Sequence, residues 1–589
     1  MTTLVEFPHE LIDHIAAHLL PDSIEAFAIS CKAIYGKCNY AIEKHNDYRK
    51  KYKTWSNQGT RRDDALYFLH AIAKDPLAAK YVETLSFWDL RRFRDIKNAR
   101  ETLGADWKVW RNAQAMQEIM SMVEDKLGAY LEALSIDTDF WYHRIRHEAN
   151  PWDYPTQCLA DLDTPSVAPV ERQIFGLITA FTVLCLLPNL RQLTLHPDFP
   201  GSRSDTVAGL LFPIRQLFRY RPADGTYPLA YRPLEKLETL LPYERDHATE
   251  FVSLEHIRPF LELPNLKNVF STSSIYEPRN TDYLEEGHFL DYAPGWIDTP
   301  RGFQPQWSSL SLRRMELYGS NLNHHGVSVL LQSCDQLEVF KYICMLEPHT
   351  YYHGFTYEGC NANLLVKHLG QGAGKSLKEL YLRIAFQSNT RHDHITASSL
   401  LQLEVLENLE IDVKLLACEE LEHDSLAIML PSSIKYLTMH IGNGDNLSCF
   451  QHLTTGLAAS RQEKLHNIKK ILVKDHGYSY EQDQHAATKK IVENEGVLWV
   501  DDQSNPLTDD LEGWPREYHS KFVHSIENVE FSDDEDDENE QSKSSYQRHD
   551  PVYRPSHSPY SPASPFYSPL IHSTSPRSPR SPTFDDFTP

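Results

Sequence analysis

The stretch HLGQGAGKSLKELYLRI, residues 368–384, decides how this chain folds. Its Gly374-Lys375-Ser376 either closes a phosphate-cradling loop or stands at a corner before a strand running from Leu377 to Leu382. A phosphate loop needs four residues between its first Gly and the Gly-Lys-Ser, so that successive backbone N–H groups wrap a phosphate, with a strand before it and a helix after. Counting back from Gly374, that first position is Leu369, and Gly370 lies one residue too close. The order of elements is also inverted. NANLLVKHL (361–369) has helical spacing at Leu364, Leu365, His368 and Leu369, and the strand pattern Leu377, Leu380, Leu382 follows it. Gly370, Gly372 and Gly374 therefore read as a helix stop and loop, where residues free to take positive φ close the end.

Outward from this corner the pattern apolar-x-x-apolar-x-apolar recurs. It appears at Val82/Leu85/Phe87, Leu131/Leu134/Ile136, Leu190/Leu193/Leu195, Leu312/Met315/Leu317, Leu337/Phe340/Tyr342, Leu377/Leu380/Leu382, Leu406/Leu409/Ile411, Ile434/Leu437/Met439 and Ile468/Ile471/Val473. Weaker versions stand at Leu234/Leu237 and Leu266/Val269. The last two apolar positions share one face of a strand, and the first turns inward at the preceding corner. Between them lie helical patterns such as Ile174, Leu177, Ile178, Phe181, Leu184 and Cys185. Alternating strand and helix predicts an α/β fold, a parallel sheet backed by helices. At 589 residues the chain can hold several cores or one elongated architecture that grows by adding units.

The segment NLNHHGVSVLLQSCDQLEVFKYI (321–343) has a Gly followed by an apolar helix, then Ser333-Cys334 before a strand. It resembles the cysteine-containing class of leucine-rich repeat. The resemblance implies that Cys334 is a buried small apolar residue near a helix end, not a ligand or nucleophile. In degenerate form the likeness extends over residues 82–500, an irregular solenoid.

The N-terminus carries the most specific signature, FPHELIDHIAAHLLPDSIEAFAISCKAIYGKC (7–38). Pro8 suits a first helical turn, and Leu11, Ile15 and Leu19 advance by four along a short amphipathic helix that ends at Leu20-Pro21. Asp22 or Ser23 can cap a second helix with Ile24, Phe27 and Ile29, and Ser30 a third with Ala33, Ile34 and Tyr35. Three such helices form only a small core and gain from docking on a partner. The stretch resembles an F-box of the fungal type: Phe7-Pro8 stands for its Leu-Pro opening, Glu10-Leu11 follows, later apolar positions fall on Ile15, Leu19 and Phe27, and Ser30-Cys31-Lys32 with Tyr35 forms its ending. The resemblance implies binding to the Skp adaptor of a cullin-based ubiquitin ligase. Phe7, Pro8, Glu10, Leu11, Ile15, Leu19 and Phe27 would form the docking face or the small core beneath it. Without the resemblance, the same helices read as a cap over the open end of a repeat array.

Composition narrows the partners. The formal charge is −24, and residues from Glu530 onward, with 11 acidic and 5 basic side chains, account for only −6 of it. The remaining surface repels phosphate backbones and anionic lipid, which favours protein partners over nucleic acid or membrane. Nine scattered cysteines without a C-x-x-C pair are expected to be reduced thiols of an intracellular protein. The opening MTTLVEFPHEL lacks a secretory pattern, and the longest apolar run, 175–187, is too short to span a bilayer. Cytosol or nucleus is the expected location.

No catalytic constellation is apparent. His392-Asp393-His394 and His324-His325 lack a third metal ligand, and His147-Glu148 lacks the second His of a zinc-protease helix. No cofactor is expected. Arg49-Lys50-Lys51-Tyr52-Lys53 reads as a solvated helix end or a nuclear address. Seven Ser-Pro dipeptides, at Ser558, Ser561, Ser564, Ser568, Ser575, Ser578 and Ser581, resemble sites of proline-directed kinases, and Ser532 before Asp533-Asp534-Glu535 resembles an acidic-directed site. A Pro-rich spacer without regulation is the other reading.

The expected organisation is an F-box-like helical domain at 1–50, a helical linker at 51–81, a leucine-rich-repeat-like solenoid at 82–500, a cap or linker at 501–528 and a disordered acidic, Ser-Pro-rich tail at 529–589. The function expected from the resemblance is substrate recognition, without catalysis, in an SCF-type cullin-RING ligase, the Skp adaptor and cullin on one side and a target protein on the other. The other readings are a leucine-rich scaffold outside any ligase and, least favoured, an NTPase.

Overall fold

The computed structural model describes residues 4–56, 65–87, 113–133, 177–195, 231–242, 260–272, 310–318, 330–344, 361–384, 394–416, 425–442, 447–475 and 482–501, with short pieces within 138–145, 252–257, 274–276 and 320–322. Twelve strands form one all-parallel sheet whose order in space is its order in sequence. They are β1 (Thr54–Ser56), β2 (Thr84–Ser86), β3 (Gln192–Leu195), β4 (Thr239–Pro242), β5 (Asn268–Thr272), β6 (Arg314–Tyr318), β7 (Val339–Cys344), β8 (Glu379–Ile384), β9 (Asn408–Asp412), β10 (Tyr436–Ile441), β11 (Lys470–Asp475) and β12 (Leu498–Asp501). A second, three-stranded parallel sheet joins Val252–Ser253, Ser274–Tyr276 and Asn321–Leu322.

Period-two patterning fixes the register. Val269, Met315, Phe340, Leu380, Leu409, Leu437 and Ile471 align across seven strands, all buried. Two residues on, Leu317, Tyr342, Leu382, Ile411, Met439, Val473 and Trp499 form a parallel buried row. A one-residue slip would turn both rows over, and each buried side chain contributes roughly 1.5–3 kcal/mol. Helices cover this face at both ends of the sheet. Trp55 of β1 stacks on Phe68 at 4.7 Å, and Trp499 of β12 meets Phe450 edge-on at 5.7 Å.

The residue after each apolar corner residue was not singled out in the sequence, yet it is charged at ten successive corners. Glu83, Arg191, Glu238, Lys267, Arg313, Glu338, Lys378, Glu407, Lys435 and Lys469 each donate a backbone N–H to the carbonyl of the equivalent residue one strand earlier, beginning at Lys53. Their side chains pair along the same line, as in Lys53–Glu83 (3.4 Å), Arg191–Glu238 (3.8 Å), Lys378–Glu338 (2.9 Å) and Lys435–Glu407 (2.7 Å). Each exposed pair is worth only about 0.2–1 kcal/mol, but opposite charges meet only in the native register. Charges also pair on the opposite face of the sheet. Glu316 is 2.5 Å from Arg314 Nε, Glu410 is 2.6 Å from His440 Nε2 and 3.4 Å from Lys474 Nζ, and Asp412 is 3.2 Å from Arg383 Nε.

Several expectations need correction. Leu131 lies not on a strand but in the helix Ala113–Ala133, where Ile119, Val123, Leu127 and Leu131 make a buried four-residue stripe. Leu134 and Ile136 fall outside the described residues. The Leu234/Leu237 pattern is three residues early: Leu237 is the corner residue and Leu240 the first strand position. Residues 51–81, read as a helical linker, contain β1, which pairs with β2. The three glycines near the opening stretch do not adopt positive φ. Gly370 and Gly372 are inside the helix Ala362–Ala373, and Gly374 ends it in right-handed conformation. They are needed for close approach, since a Cβ on Gly372 would sit 2.1 Å from the Leu331 carbonyl oxygen and one on Gly374 2.5 Å from that of Gln402. Glycine here lets one helix press against its neighbours.

Burial of His70 makes the fold pH-sensitive. Its Nε2 lies 3.0 Å from Glu118 Oε2 between the helices Ala65–Lys74 and Ala113–Ala133, and burial holds the imidazole below its usual range despite that carboxylate. The unfolded chain takes up a proton near 6.5 that the folded chain refuses, so this stability is present above that pH and is lost as pH falls through the folded value. The melting temperature should fall between pH 7 and pH 5, and His70→Gln should flatten that slope. An unchanged slope would assign the loss to other groups.

Candidate docking surface on the N-terminal helices

Four helices open the chain: α1 (His9–His18), α2 (Ile24–Ile29), α3 (Lys32–Lys37) and α4 (Asn39–Tyr52). Pro8 stands immediately before α1, where a missing N–H costs nothing. Ser23 precedes α2 without a side-chain cap bond. Cys31, not Ser30, caps α3: its Sγ accepts from Ile34 N at 3.4 Å, while Ser30 Oγ donates back to the Phe27 carbonyl at 2.7 Å. The basic cluster Arg49-Lys50-Lys51 forms the last turn of α4, where cations suit the helix dipole, and Arg49 reaches Glu25 at 2.8 Å.

The small core consists of Ile12, Ala16, Leu20, Ile24, Ile34, Cys38 and Ala41. Its line Ile12-Ala16 on α1, continued by Leu20 in the turn after it, is displaced by one residue from Leu11-Ile15-Leu19. Successive residues turn by about 100° around a helix, so the two stripes are neighbouring faces. Leu11 is 51 % exposed, and Pro8 and Glu10 are exposed as well. Ile15 is half-buried, and Phe7, Leu19 and Phe27 pack partly against the core. The seven residues picked from the sequence thus divide into outward-facing Pro8, Glu10 and Leu11, core-edge Phe7, Leu19 and Phe27, and Ile15, half-buried but outside the core cluster.

Further apolar side chains of the N-terminal helices reach solvent. Ile29 is 76 % exposed, Tyr40 67 % and Tyr35 51 %, with Leu4 and Val5 also exposed. Lys37 Nζ ties the leading segment to α3 by donating to the carbonyls of Val5 (2.8 Å) and Phe7 (2.6 Å). Sequence reasoning missed Leu4, Val5 and Tyr40 and placed Ile29 in the apolar pattern of α2. Ile29 lies about 100° around α2 from the buried Ala28 and about 140° from the buried Ile24, so it faces away from the core.

The four helices are tied to the start of the array. His45 Nδ1 is 3.0 Å from the Tyr81 hydroxyl and its Nε2 3.3 Å from Glu25, the Tyr48 hydroxyl donates to Asp75, and Asn189 Nδ2 donates to Asp22 at 3.3 Å. Burial raises the Tyr48 and Tyr81 hydroxyls above the ordinary tyrosine range, Tyr81 to about 12, so both are protonated at neutral pH.

Among the described residues, Ser376 and Cys334, also raised by the sequence, are engaged by backbone carbonyls. Ser376 Oγ lies within reach of three carbonyls, of Asp335 (3.0 Å), Leu337 (2.9 Å) and Ala373 (3.2 Å), so its hydroxyl is engaged by backbone, and Lys375 faces solvent. Cys334 is buried and hydrogen-bonded to the Leu330 carbonyl, and burial pushes its thiol up to about 12, which makes a poor nucleophile. His394 is 3.1 Å from the Lys414 carbonyl. His147-Glu148, His324-His325, His392-Asp393, the segment 502–589, Ser532 and the Ser-Pro serines fall outside the described residues. Among the described residues no helix is long and apolar enough to cross a membrane. No family model matches the chain, and no curated protein matches it.

Proposed function

We propose that this chain is a non-catalytic, substrate-recruiting subunit of a cullin-based ubiquitin ligase. Its N-terminal helices, which resemble an F-box, dock on the Skp adaptor, and its leucine-rich-repeat-like array holds a target protein. The chain contributes proximity and orientation to chemistry performed by its partners. One observation carries the reading. Leu4, Val5, Leu11, Ile29, Tyr35 and Tyr40 are six of the eleven exposed large apolar residues among those described, and all lie within the first forty positions. Exposed apolar side chains scattered singly are ordinary, whereas their concentration on one small unit marks an interaction surface. The acidic composition supports a protein as the partner.

The scaffold reading, outside any ligase, draws support from the contacts of His45, Tyr48 and Asp22, through which the same helices cap the first strands. Affinity capture of the tagged full chain separates the two. Recovery of adaptor and cullin together is expected, and recovery of neither leaves the scaffold.

A further inference from the structure

Three side chains from three consecutive elements converge at the far end of the array. Asp475 closes β11, Asp501 closes β12, and His485 lies in the first turns of the helix Gln482–Asn494. Asp475 and Asp501 are partners in the parallel ladder, which brings both carboxylates to the same end of the sheet. One ligand atom from each of the three residues lies within 4.8 Å of the others. His485 Nε2 is 2.5 Å from Asp475 Oδ2 and 3.7 Å from Asp501 Oδ1. Trp499, itself buried, packs edge-on to the imidazole at 5.2 Å and against Phe450 at 5.7 Å, so the ring is held in place by the core. Asp475 is buried, His485 half-buried and Asp501 exposed, which opens the cluster to solvent on one side only.

Two carboxylates and an imidazole converging on one point are a donor set that suits a divalent metal ion. We propose that Asp475, His485 and Asp501 bind one divalent transition-metal ion of the zinc class, with solvent completing the coordination. Bonds of about 2.0–2.2 Å in tetrahedral geometry require ligand atoms roughly 3.3 Å apart. The observed 2.5 and 3.7 Å bracket that value, so each must change by less than about 1 Å, a shift available to carboxylates at strand ends. Calcium prefers six to eight oxygens, and an imidazole with two carboxylates suits zinc better.

The site has a built-in competitor. Lys489 Nζ donates to Asp501 Oδ2 at 2.8 Å, and Trp499 Nε1 donates to Oδ1 at 2.8 Å. The lysine ammonium stands where it repels an incoming cation. Metal binding would clamp the last helix to the last two strands.

Zinc titration of the full chain by calorimetry tests this. The exposed His14–His18 pair, with Nε2 atoms 3.3 Å apart on α1, is a second zinc-binding arrangement, so the titration is run in a His14→Ala background. One equivalent should bind, with affinity reduced at least about 10-fold by His485→Ala or Asp475→Asn. Lys489→Gln, a change at a partly exposed side chain that leaves the fold intact, should tighten binding about 3-fold or more. The assignment is overturned if the background protein binds no zinc, if His485→Ala leaves the affinity unchanged, or if Lys489→Gln fails to tighten it.

Discussion

Replacing Leu11 by Glu should abolish capture of the adaptor while leaving the melting temperature within about 2 °C of wild type, whereas replacing its neighbour Ile12 by Ala should cost stability. Leu11 is 51 % exposed and outside the small core, and substitutions at such positions usually change stability by less than about 0.5 kcal/mol. A central apolar anchor at an interface contributes about 2 kcal/mol or more, a factor of roughly 30 in affinity. Ile12 is fully buried in the core formed with Ala16, Leu20 and Ile34, and truncating it removes about 2–5 kcal/mol from the folded state. Circular dichroism melting paired with quantitative capture measures both effects. Undiminished capture by the Leu11→Glu chain would defeat the docking proposal, because nothing else about that variant is expected to change.

The second large effect is expected at Gly372. An alanine there would drive its Cβ to 2.1 Å from the Leu331 carbonyl oxygen and 3.0 Å from the Gln332 Cα, both main-chain atoms that cannot swing aside. The helix Ala362–Ala373 would have to move off its neighbour, at a cost of about 3 kcal/mol or more. Lys375→Ala, three residues on, should change stability by less than about 0.5 kcal/mol. A phosphate-binding loop would give a different result, since there the lysine variant would lose nucleotide affinity. Thermal denaturation together with nucleotide titration of the two variants distinguishes the cases. A Gly372→Ala chain as stable as wild type would mean that the two helices can separate freely.

The strand ladder was legible because its signal repeats. Leu377, Leu380 and Leu382 carry the same roles as Leu406, Leu409 and Ile411 one strand later, and both sets are buried. Where the third apolar position is absent the pattern weakens: β5 has Ser271 there and β4 has Pro242, which is how Leu234/Leu237 drew the register three residues early. The charged residue after each corner leucine would have corrected it, since Glu238 falls between Arg191 and Lys267. The first and last strands were missed because their inward residues are Trp55 and Trp499. Leu131 misled for the opposite reason: it ends a buried helical stripe, Ile119, Val123, Leu127 and Leu131, and so supplied the first position of the motif from a helix.

The docking surface was only half legible. Spacing by four identifies a helix face but does not say which of two adjacent faces turns inward, and tertiary packing chose Ile12-Ala16 over Leu11-Ile15. Likewise, Asp475, His485 and Asp501 are scattered in sequence and meet only because β11 and β12 end side by side.

Each strand of the sheet hydrogen-bonds only to the one before it and the one after it. Opening an end therefore severs a single ladder and leaves the remainder intact, so amide exchange should slow from both extremities toward the middle. The same linear connectivity explains how 25 residues can separate one pair of equivalent corners, Leu312 and Leu337, and 47 another, Leu190 and Leu237, without disturbing any neighbour: lengthening a crossover changes the path, not the pairing.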